Sequence, residues 1–249
     1  MKSVRMANWR GIGFLLFCGL VLATTTGCNL QGKMDWVQPT TAAPRVGEVY
    51  CIRGWHGIWS KGIDEMARQL NEQGVTAHVF MPEQSSTLAA TLVQRCKNSP
   101  QHEPICFIGH SWGVDASLQI ARELDQAGVD VEVIACLDSV NETTVSKNVR
   151  LCYNYWMPGM FWRGNLLRGI ALKQAPGSTG QLFNYNCDAE CRSWRSDWTN
   201  HINFDDDPKI QKRIVEQVLA ACPPRANWAP PVAAHPTAAP TSPALSSSR

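Results

Sequence analysis

The sequence lacks a strong charge of either sign. Its 249 residues carry 23 basic and 21 acidic side chains, so the formal net charge at pH 7 is only +2. Proteins that hold nucleic acid through their electrostatic field are usually far more basic, so we expect no nucleic-acid partner. Charged residues make up 18% of the chain and hydrophobic residues 44%, a balance that excludes a wholly disordered protein.

The N-terminal apolar run is too short for a transmembrane helix. It covers 13 residues, Gly11 to Ala23, whereas a spanning helix needs about 20. Three basic side chains precede the run and small residues follow it, which is the pattern of an export signal. The Gly27-Cys28 pair that comes next resembles the bacterial lipobox, in which the cysteine becomes the lipidated first residue of the mature protein.

The lipobox resemblance predicts an exported, membrane-anchored lipoprotein that faces the periplasm or the cell exterior, with Cys28 as its lipidation site. Ordinary signal cleavage near the same place and an uncleaved anchor remain alternatives. The C-terminal segment holds seven of the 15 prolines among Ala, Thr and Ser, a composition typical of disorder. We therefore divide the chain into a signal peptide (1–27), a tether (28–44), one folded domain (45–222) and a disordered tail (223–249).

Paired metal-binding motifs are also missing. The sequence has no paired CxxC and no HxxxH, so we expect no metal site, and no motif indicates a cofactor. Eight cysteines remain after Cys18 and Cys28, an even number that suits an oxidising compartment. Cys187 and Cys191 lie close together in a polar stretch and are predicted to form a local disulfide. Buried thiols are expected at the cysteines in apolar strands, which are Cys51, Cys106, Cys136 and Cys152.

Short β-prone runs alternate with amphipathic segments along the folded region. The predicted strands lie at 46–52, 75–80, 104–108, 129–137 and 148–156. The predicted helices lie at 60–74, 85–95 and 114–124, and a last helix begins at Pro208 after the candidate N-cap Asp207. Such alternation with nearly continuous apolar strands predicts an α/β fold with a mainly parallel sheet and helices on both faces. Residues 158–200 carry no clear pattern.

A G-x-S-x-G pentapeptide, Gly109-His110-Ser111-Trp112-Gly113, joins an apolar strand to an amphipathic helix. Glycine on both sides of the serine allows a tight bend that projects the hydroxyl, and the helix N-terminus favours developing negative charge. A glycine-rich turn in which the serine only caps the helix is the structural alternative. The context favours a nucleophile elbow with Ser111 as nucleophile.

A nucleophilic serine needs a base, and His201 is the best candidate among the six histidines. The other five are His56, His78, His102, His110 and His235. The order nucleophile, acid, histidine requires a histidine after Ser111 in the folded region, which only His201 satisfies. We expected the His110 ring to point away from the neighbouring serine.

The acid that orients such a histidine should follow a strand between the serine and the histidine. Asp138 does so, directly after the strand that follows the elbow helix. A carboxylate there can hold the imidazole in the correct tautomer and stabilise its protonated form. Rival acids lie in the irregular stretch, at Asp188, Glu190 and Asp197. The run Asp205 to Asp207 is better explained as helix-start acids.

The first strand is followed by a glycine-rich loop, Arg53-Gly54-Trp55-His56-Gly57. Such a loop can turn backbone N–H groups toward a developing oxyanion, together with the N–H of Trp112. Gly54 and Trp55 are both candidates for the second donor, and the sequence does not choose between them.

These residues together resemble the α/β-hydrolase superfamily, over nearly the whole folded region. The resemblance rests on GHSWG after a strand, Asp138 after the next strand and His201 before a final helix. It implies hydrolysis of an ester, thioester or amide, or acyl transfer, and among these we predict a serine hydrolase that cleaves a small acyl ester or thioester through an acyl-enzyme. The alternative is a non-catalytic lipoprotein of the same fold that binds or scaffolds.

Overall fold

The computed structural model describes residues 43–57, 60–99, 101–141, 144–158, 169–190 and 192–230. The predicted signal peptide, the lipidation candidate Cys28 and the second disulfide candidate Cys191 lie outside these residues. Most of the predicted tether and tail lies outside them as well, so those boundaries stay predictions. Within the described ranges, no helix combines the length and the apolar character that crossing a membrane requires.

The described residues contain eight strands, which are β1 Glu48–Ile52, β2 Thr76–Phe80, β3 Ile105–His110, β4 Val131–Leu137, β5 Thr144–Val145, β6 Val149–Trp156, β7 Lys173–Gln174 and β8 Gln181–Asn186. Six of them form the central sheet in the order β2-β1-β3-β4-β6-β8, and every pairing in it is parallel. The two-residue strands β5 and β7 pair with each other.

Within the described residues, four α-helices cover the sheet, two on each face. They are α1 Gly62–Glu72, α2 Ser85–Asn98, α3 Trp112–Gln126 and α4 Pro208–Ala221. One apolar core lies between the sheet and the pair α2 and α3, and the other lies between the sheet and the pair α1 and α4. The α/β fold predicted from the sequence, with a parallel sheet and helices on both faces, is confirmed.

Burial explains why the central strands read as continuous apolar runs. Every residue of β1 and β3 is buried, because helices pack on both faces of the sheet. The cysteines predicted to be buried thiols in strands, Cys51, Cys106, Cys136 and Cys152, are buried thiols. The last helix begins as predicted. Pro208 is its first residue, and the side chain of Asp207 before it accepts a hydrogen bond from the backbone N–H of Lys209.

The edge strand β8 is the main element that the sequence did not predict. It lies in the stretch that appeared irregular and pairs in parallel with β6, from Leu151↔Gln181 to Trp156↔Asn186. None of its six residues is fully buried, because it closes one edge of the sheet. Its mixed polar and aromatic sequence therefore lacks the continuous apolar signal of the inner strands.

The two ends of the folded region meet at the side of the sheet where the strands begin, which we call its amino edge. Arg45 forms an antiparallel bridge with Pro224 just before β1 begins. The N–H of Val46 donates to the carbonyl of Pro223 over 3.1 Å, and Arg225 forms an ion pair with Glu103 ahead of β3. The chain therefore enters and leaves the folded region at the amino edge, opposite the carboxyl ends of the strands.

Candidate active site

Ser111 occupies a sharp turn between β3 and α3. Its φ angle is 53°, in the left-handed region that side chains rarely adopt, which is the strained geometry of a nucleophile elbow. The flanking glycines are required by close backbone approaches. A Cβ at Gly113 would overlap the carbonyl oxygen of Ile52, and a Cβ at Gly109 would lie 2.5 Å from the carbonyl oxygen of Gly113.

The structure brings the three predicted triad side chains together. The Nε2 atom of His201 lies 3.1 Å from Ser111 Oγ, and its Nδ1 atom lies 2.7 Å from Asp138 Oδ2. His201 sits in a short 3₁₀ turn, His201–Asn203, whose start is capped by the Asn200 side chain accepting from the N–H of Ile202. This chain of hydrogen bonds can carry a proton from the serine hydroxyl to an imidazole that a carboxylate orients.

The side chain of Asp138 is fixed by contacts to both of its carboxylate oxygens. It directly follows β4, has a φ angle of 54° and is fully buried. Its second oxygen, Oδ1, accepts a hydrogen bond from the backbone N–H of Met157 at 2.8 Å. Gly169 packs so closely on this oxygen that a Cβ there would overlap it. Burial raises the pKa of Asp138, and the hydrogen bond from His201 opposes the rise.

The glycine-rich loop after β1 lies beside this site. The N–H of Gly54 donates to Ser60 Oγ at 2.8 Å, so it is already committed inside the loop. The N–H of Gly54 is therefore the weaker of the two candidates for the second oxyanion donor, and Trp55 remains a candidate beside Trp112 at the start of α3. Arg53 holds the loop in place through an ion pair with Asp64 and a hydrogen bond of 3.3 Å to the carbonyl of Gly57.

The rival acids either have other partners or are exposed to solvent. Asp188 forms an ion pair of 2.5 Å with Arg195. Glu190 and Asp197 are exposed. Asp207 caps α4, as predicted. The side chain of Asp205 contacts the start of α1, and not the start of α4 that follows it in sequence.

Asp205 is fully buried, with Oδ1 3.3 Å from the Nδ1 atom of His110 and Oδ2 3.3 Å from the backbone nitrogen of Ile63. Burial, reinforced by the charge of Asp206, raises its pKa to about 7. It lies at the buried start of α1, because the turn after His201 folds back onto the beginning of that helix.

Sequence reasoning missed two polar residues beside the triad, Ser60 and His110. The His110 ring, which was expected only to point away from the neighbouring serine, lies beside His201, with 5.4 Å between the two ring centroids. Its Nδ1 atom lies 2.7 Å from Ser60 Oγ, and its Nε2 atom lies 2.8 Å from the carbonyl oxygen of His201. No local sequence signal pairs a serine in one loop with a histidine at the end of a distant strand.

The disulfide predicted between Cys187 and Cys191 stays a prediction, because Cys191 lies outside the described residues. Cys187 itself is buried, close to the end of β8. In the part of the chain that the structure describes, no three His, Cys, Asp or Glu side chains are grouped so that they could hold a metal ion.

Comparison with known protein families finds no match, and no curated protein matches the sequence. Among solved structures, the chain is similar to a cutinase-like protein from Cryptococcus sp., with a TM-score of 0.41 and 11% identity, over 74% of this chain and 98% of that one. It is also similar to an α/β hydrolase superfamily protein from Enterococcus faecalis, with a TM-score of 0.40 and 14% identity, over 72% and 91%. Similarity this low carries no argument about activity, so the conclusion depends on the site itself.

Proposed function

We propose that this protein is a serine hydrolase that cleaves an ester or thioester through an acyl-enzyme. The observation that carries the proposal is the continuous hydrogen-bonded chain from Asp138 through His201 to Ser111. It is supported by the elbow geometry at Ser111, which fits a projecting nucleophile better than a simple helix cap.

The proposed reaction has two halves. Ser111 Oγ attacks the carbonyl carbon while its proton moves to His201 Nε2, and the charge of Asp138 stabilises the imidazolium that forms. The tetrahedral intermediate then breaks its bond to the leaving alcohol or thiol, which takes the proton from His201. Water next attacks the carbonyl carbon of the acyl-serine and gives a proton to His201. The second tetrahedral intermediate then breaks its bond to Ser111 Oγ, which takes that proton from His201, and the carboxylic acid leaves.

The developing oxyanion would be stabilised by backbone N–H groups at the start of α3 and in the loop after β1. We assign these donors to Trp112 and Trp55. The positive end of the helix dipole of α3 lies at the same place and favours negative charge there.

Four exposed apolar side chains support the proposal that the substrate carries an apolar acyl group. We call them the apolar rim, and they are Trp55, Trp112, Trp198 and Ile202. These are the exposed large apolar side chains of the described residues, with 44%, 43%, 54% and 42% of their surface accessible. Trp112 and Ile202 directly follow the proposed nucleophile and base, and the rings of Trp55 and Trp112 meet edge to face at 6.3 Å. Exposed apolar clusters of this kind commonly mark binding sites.

A fluorophosphonate probe tests the proposal directly. The wild-type protein should form a covalent adduct, Ser111→Ala should abolish it and His201→Ala should nearly abolish it. Ser117→Ala is the matched control, since this buried serine of α3 bonds only the carbonyl of Gly113 among the hydrogen bonds described, and its labelling should equal that of the wild type. Esters of p-nitrophenol and acyl-thioesters then define the acyl preference.

Unchanged labelling without Ser111, or normal labelling without His201, would contradict the proposal. The protein would then be better described as a non-catalytic module that binds or scaffolds. In a functioning pair the two substitutions should not multiply, because nucleophile and base act as one unit.

We further propose that the enzyme is exported and anchored through lipidated Cys28. This part of the proposal is supported only by the sequence, through the basic N-terminus, the short apolar run and the Gly27-Cys28 pair. Several buried acyl chains would anchor it stably, since each buried CH₂ contributes about 0.8 kcal/mol.

A further inference from the structure

The ring of His110 is fully engaged although it belongs to neither the proposed triad nor the oxyanion hole. Its Nε2 atom lies 2.8 Å from the carbonyl oxygen of His201, which can only accept, so Nε2 carries the hydrogen. Burial, together with the nearby charge of His201, lowers the pKa of His110 to about 3. The ring is therefore neutral, its Nδ1 atom is an acceptor, and Ser60 Oγ, 2.7 Å away, donates to it.

Ser60 extends this arrangement into the loop after β1. Its hydroxyl oxygen accepts from the N–H of Gly54 at 2.8 Å while its hydrogen points to His110. The packing is tight, because a Cβ at Gly54 would lie 2.6 Å from Ser60 Oγ and 3.2 Å from the carbonyl oxygen of His110. The result is a chain of donors in one direction, from Gly54 to Ser60 to His110 to the carbonyl of His201.

We propose that Ser60 and His110 are positioning residues that hold the oxyanion loop and the catalytic histidine in one fixed arrangement around Ser111. The inference rests on the proposed function. One end of the hydrogen-bonded chain is Gly54, next to the proposed donor Trp55, and the other end is the main chain of His201. Hydrogen bonds that all point one way polarise and strengthen one another.

Fixing both ends matters because the two halves of the site come from opposite ends of the folded chain. The loop follows β1 and the histidine turn precedes α4, and the elbow strand β3 lies between them and carries His110 as its last residue. A shift of about 1 Å between reacting groups can cost about 10²-fold in rate. His110, the residue before the nucleophile, thus connects the elbow both to the loop after β1 and to the turn that carries His201.

The main test removes the Ser60 hydroxyl. Ser60→Ala should lower kcat about 10- to 100-fold on the best p-nitrophenyl ester, with a much smaller change in KM, since no side chain of the apolar rim is removed. Ser117→Ala again serves as the matched control. It also deletes a buried hydroxyl, and its kcat should stay within about twofold of the wild type whatever its urea midpoint.

Two substitutions at His110 separate positioning from packing. His110→Gln keeps an N–H that can reach the His201 carbonyl, whereas His110→Leu keeps the bulk and removes both hydrogen bonds. We expect the Gln variant to retain more kcat than the Leu variant. In the double variant Ser60→Ala/His110→Gln, kcat should fall no further than in the poorer single variant, because both changes interrupt one chain. If His110→Leu does not fold, the Ser60 series alone decides.

The outcomes distinguish this inference from the proposed function. If the wild type labels with fluorophosphonate and turns over ester, yet Ser60→Ala keeps kcat within about twofold, the positioning role is wrong and the hydrolase stands. Loss of kcat in step with loss of stability in both Ser60→Ala and Ser117→Ala would also overturn it. Failure of the wild type to label overturns the hydrolase itself.

Discussion

Ser111 and Asp138 directly follow neighbouring strands and both have an unusual positive φ angle. The residues before them, His110 and Leu137, are register partners in β3 and β4, and the N–H of Ser111 donates to the carbonyl of Leu137 at 2.9 Å. Their φ angles are 53° and 54°, and they are the non-glycine residues with positive φ in the described part of the chain. Each such residue costs on the order of 1–3 kcal/mol, and strain of this kind gathers at functional sites.

The Asp138 carboxylate should be essential for turnover. Asp138→Asn removes the charge that stabilises protonated His201 and allows the wrong tautomer, so kcat should fall by about 10⁴ on an ester substrate. Asp197→Asn is the control, because this rival acid is exposed. Near-normal turnover of Asp138→Asn would move the acid role elsewhere.

The second glycine of the elbow should tolerate no side chain. A Cβ at Gly113 overlaps the carbonyl oxygen of Ile52, so Gly113→Ala should cost about 3 kcal/mol of unfolding free energy or more, measured in urea. Gly128→Ala is the comparison, since φ is +70° there and nothing lies within 4 Å of the added Cβ. Backbone strain alone should cost about 1–2 kcal/mol in that variant. Equal losses would mean that the elbow can relax.

The buried pair His110 and Asp205 should have opposite effects on acid stability. His110 has a lowered pKa of about 3, so the unfolded chain binds a proton below about pH 6.5 that the native chain does not. Its stabilising effect is therefore present above that pH and is lost as the pH falls toward 3. Asp205 has a raised pKa of about 7, so its stabilisation is complete below about pH 3.9 and is lost as the pH rises through 7. Between about pH 4 and 6.5 the two slopes nearly cancel.

Asp205→Asn should remove the contribution of Asp205 to the pH dependence of stability and leave that of His110. The Asn side chain has nearly the same shape and its carbonyl oxygen can still accept from the backbone N–H of Ile63, so we expect the variant to fold. Its unfolding free energy should fall by up to about 1.4 kcal/mol per unit as the pH is lowered from 6.5 to 4, against a flatter curve for the wild type. Urea titrations at several pH values measure both curves. Parallel curves would show that Asp205 does not take up a proton in the native state.

Removing part of the apolar rim should change the acyl preference. Trp55→Ala should lower kcat/KM for long-chain p-nitrophenyl esters about 10-fold more than for the acetate ester, because each buried CH₂ contributes about 0.8 kcal/mol. Trp228→Ala, changed near the amino edge of the sheet, is the control. A uniform loss across all chain lengths would instead indicate damage to the oxyanion loop.

Lipid attachment should depend on one cysteine. Cys28→Ala should prevent incorporation of a labelled fatty acid and release the protein from the membrane fraction, whereas Cys18→Ala, in the apolar run, should leave labelling intact. Equal labelling of Cys28→Ala and wild type would reject the lipoprotein prediction, and a cleaved, unlabelled wild type would indicate an ordinary signal peptide.

Much of the fold was predictable because inner parallel strands carry a strong signal. β1, β3 and β4 are apolar nearly throughout, and a glycine, such as Gly74 with φ of +83°, ends the helix before β2. The edge strand β8 was missed because an edge strand is only half covered. Its residues carry no periodic contrast.

The triad residues could be named from chain order and strand ends, whereas their supports could not. Ser60 stands in a polar loop without a motif, and its partner His110 lies on a distant strand. Asp205 resembled its neighbours in the acidic run, and only tertiary contact with His110 distinguishes it. Pairings between distant loops are set by packing, and a local pattern does not contain them.

The bridge between Arg45 and Pro224 lies at the opposite end of the strands from the proposed nucleophile. It joins the first and last parts of the folded domain ahead of β1, while Ser111 follows the carboxyl end of β3. If Cys28 carries a lipid, as we propose, the chain coming from that lipid enters the domain on the side away from Ser111. Attachment and catalysis would then use opposite ends of one sheet, so that neither needs to obstruct the other.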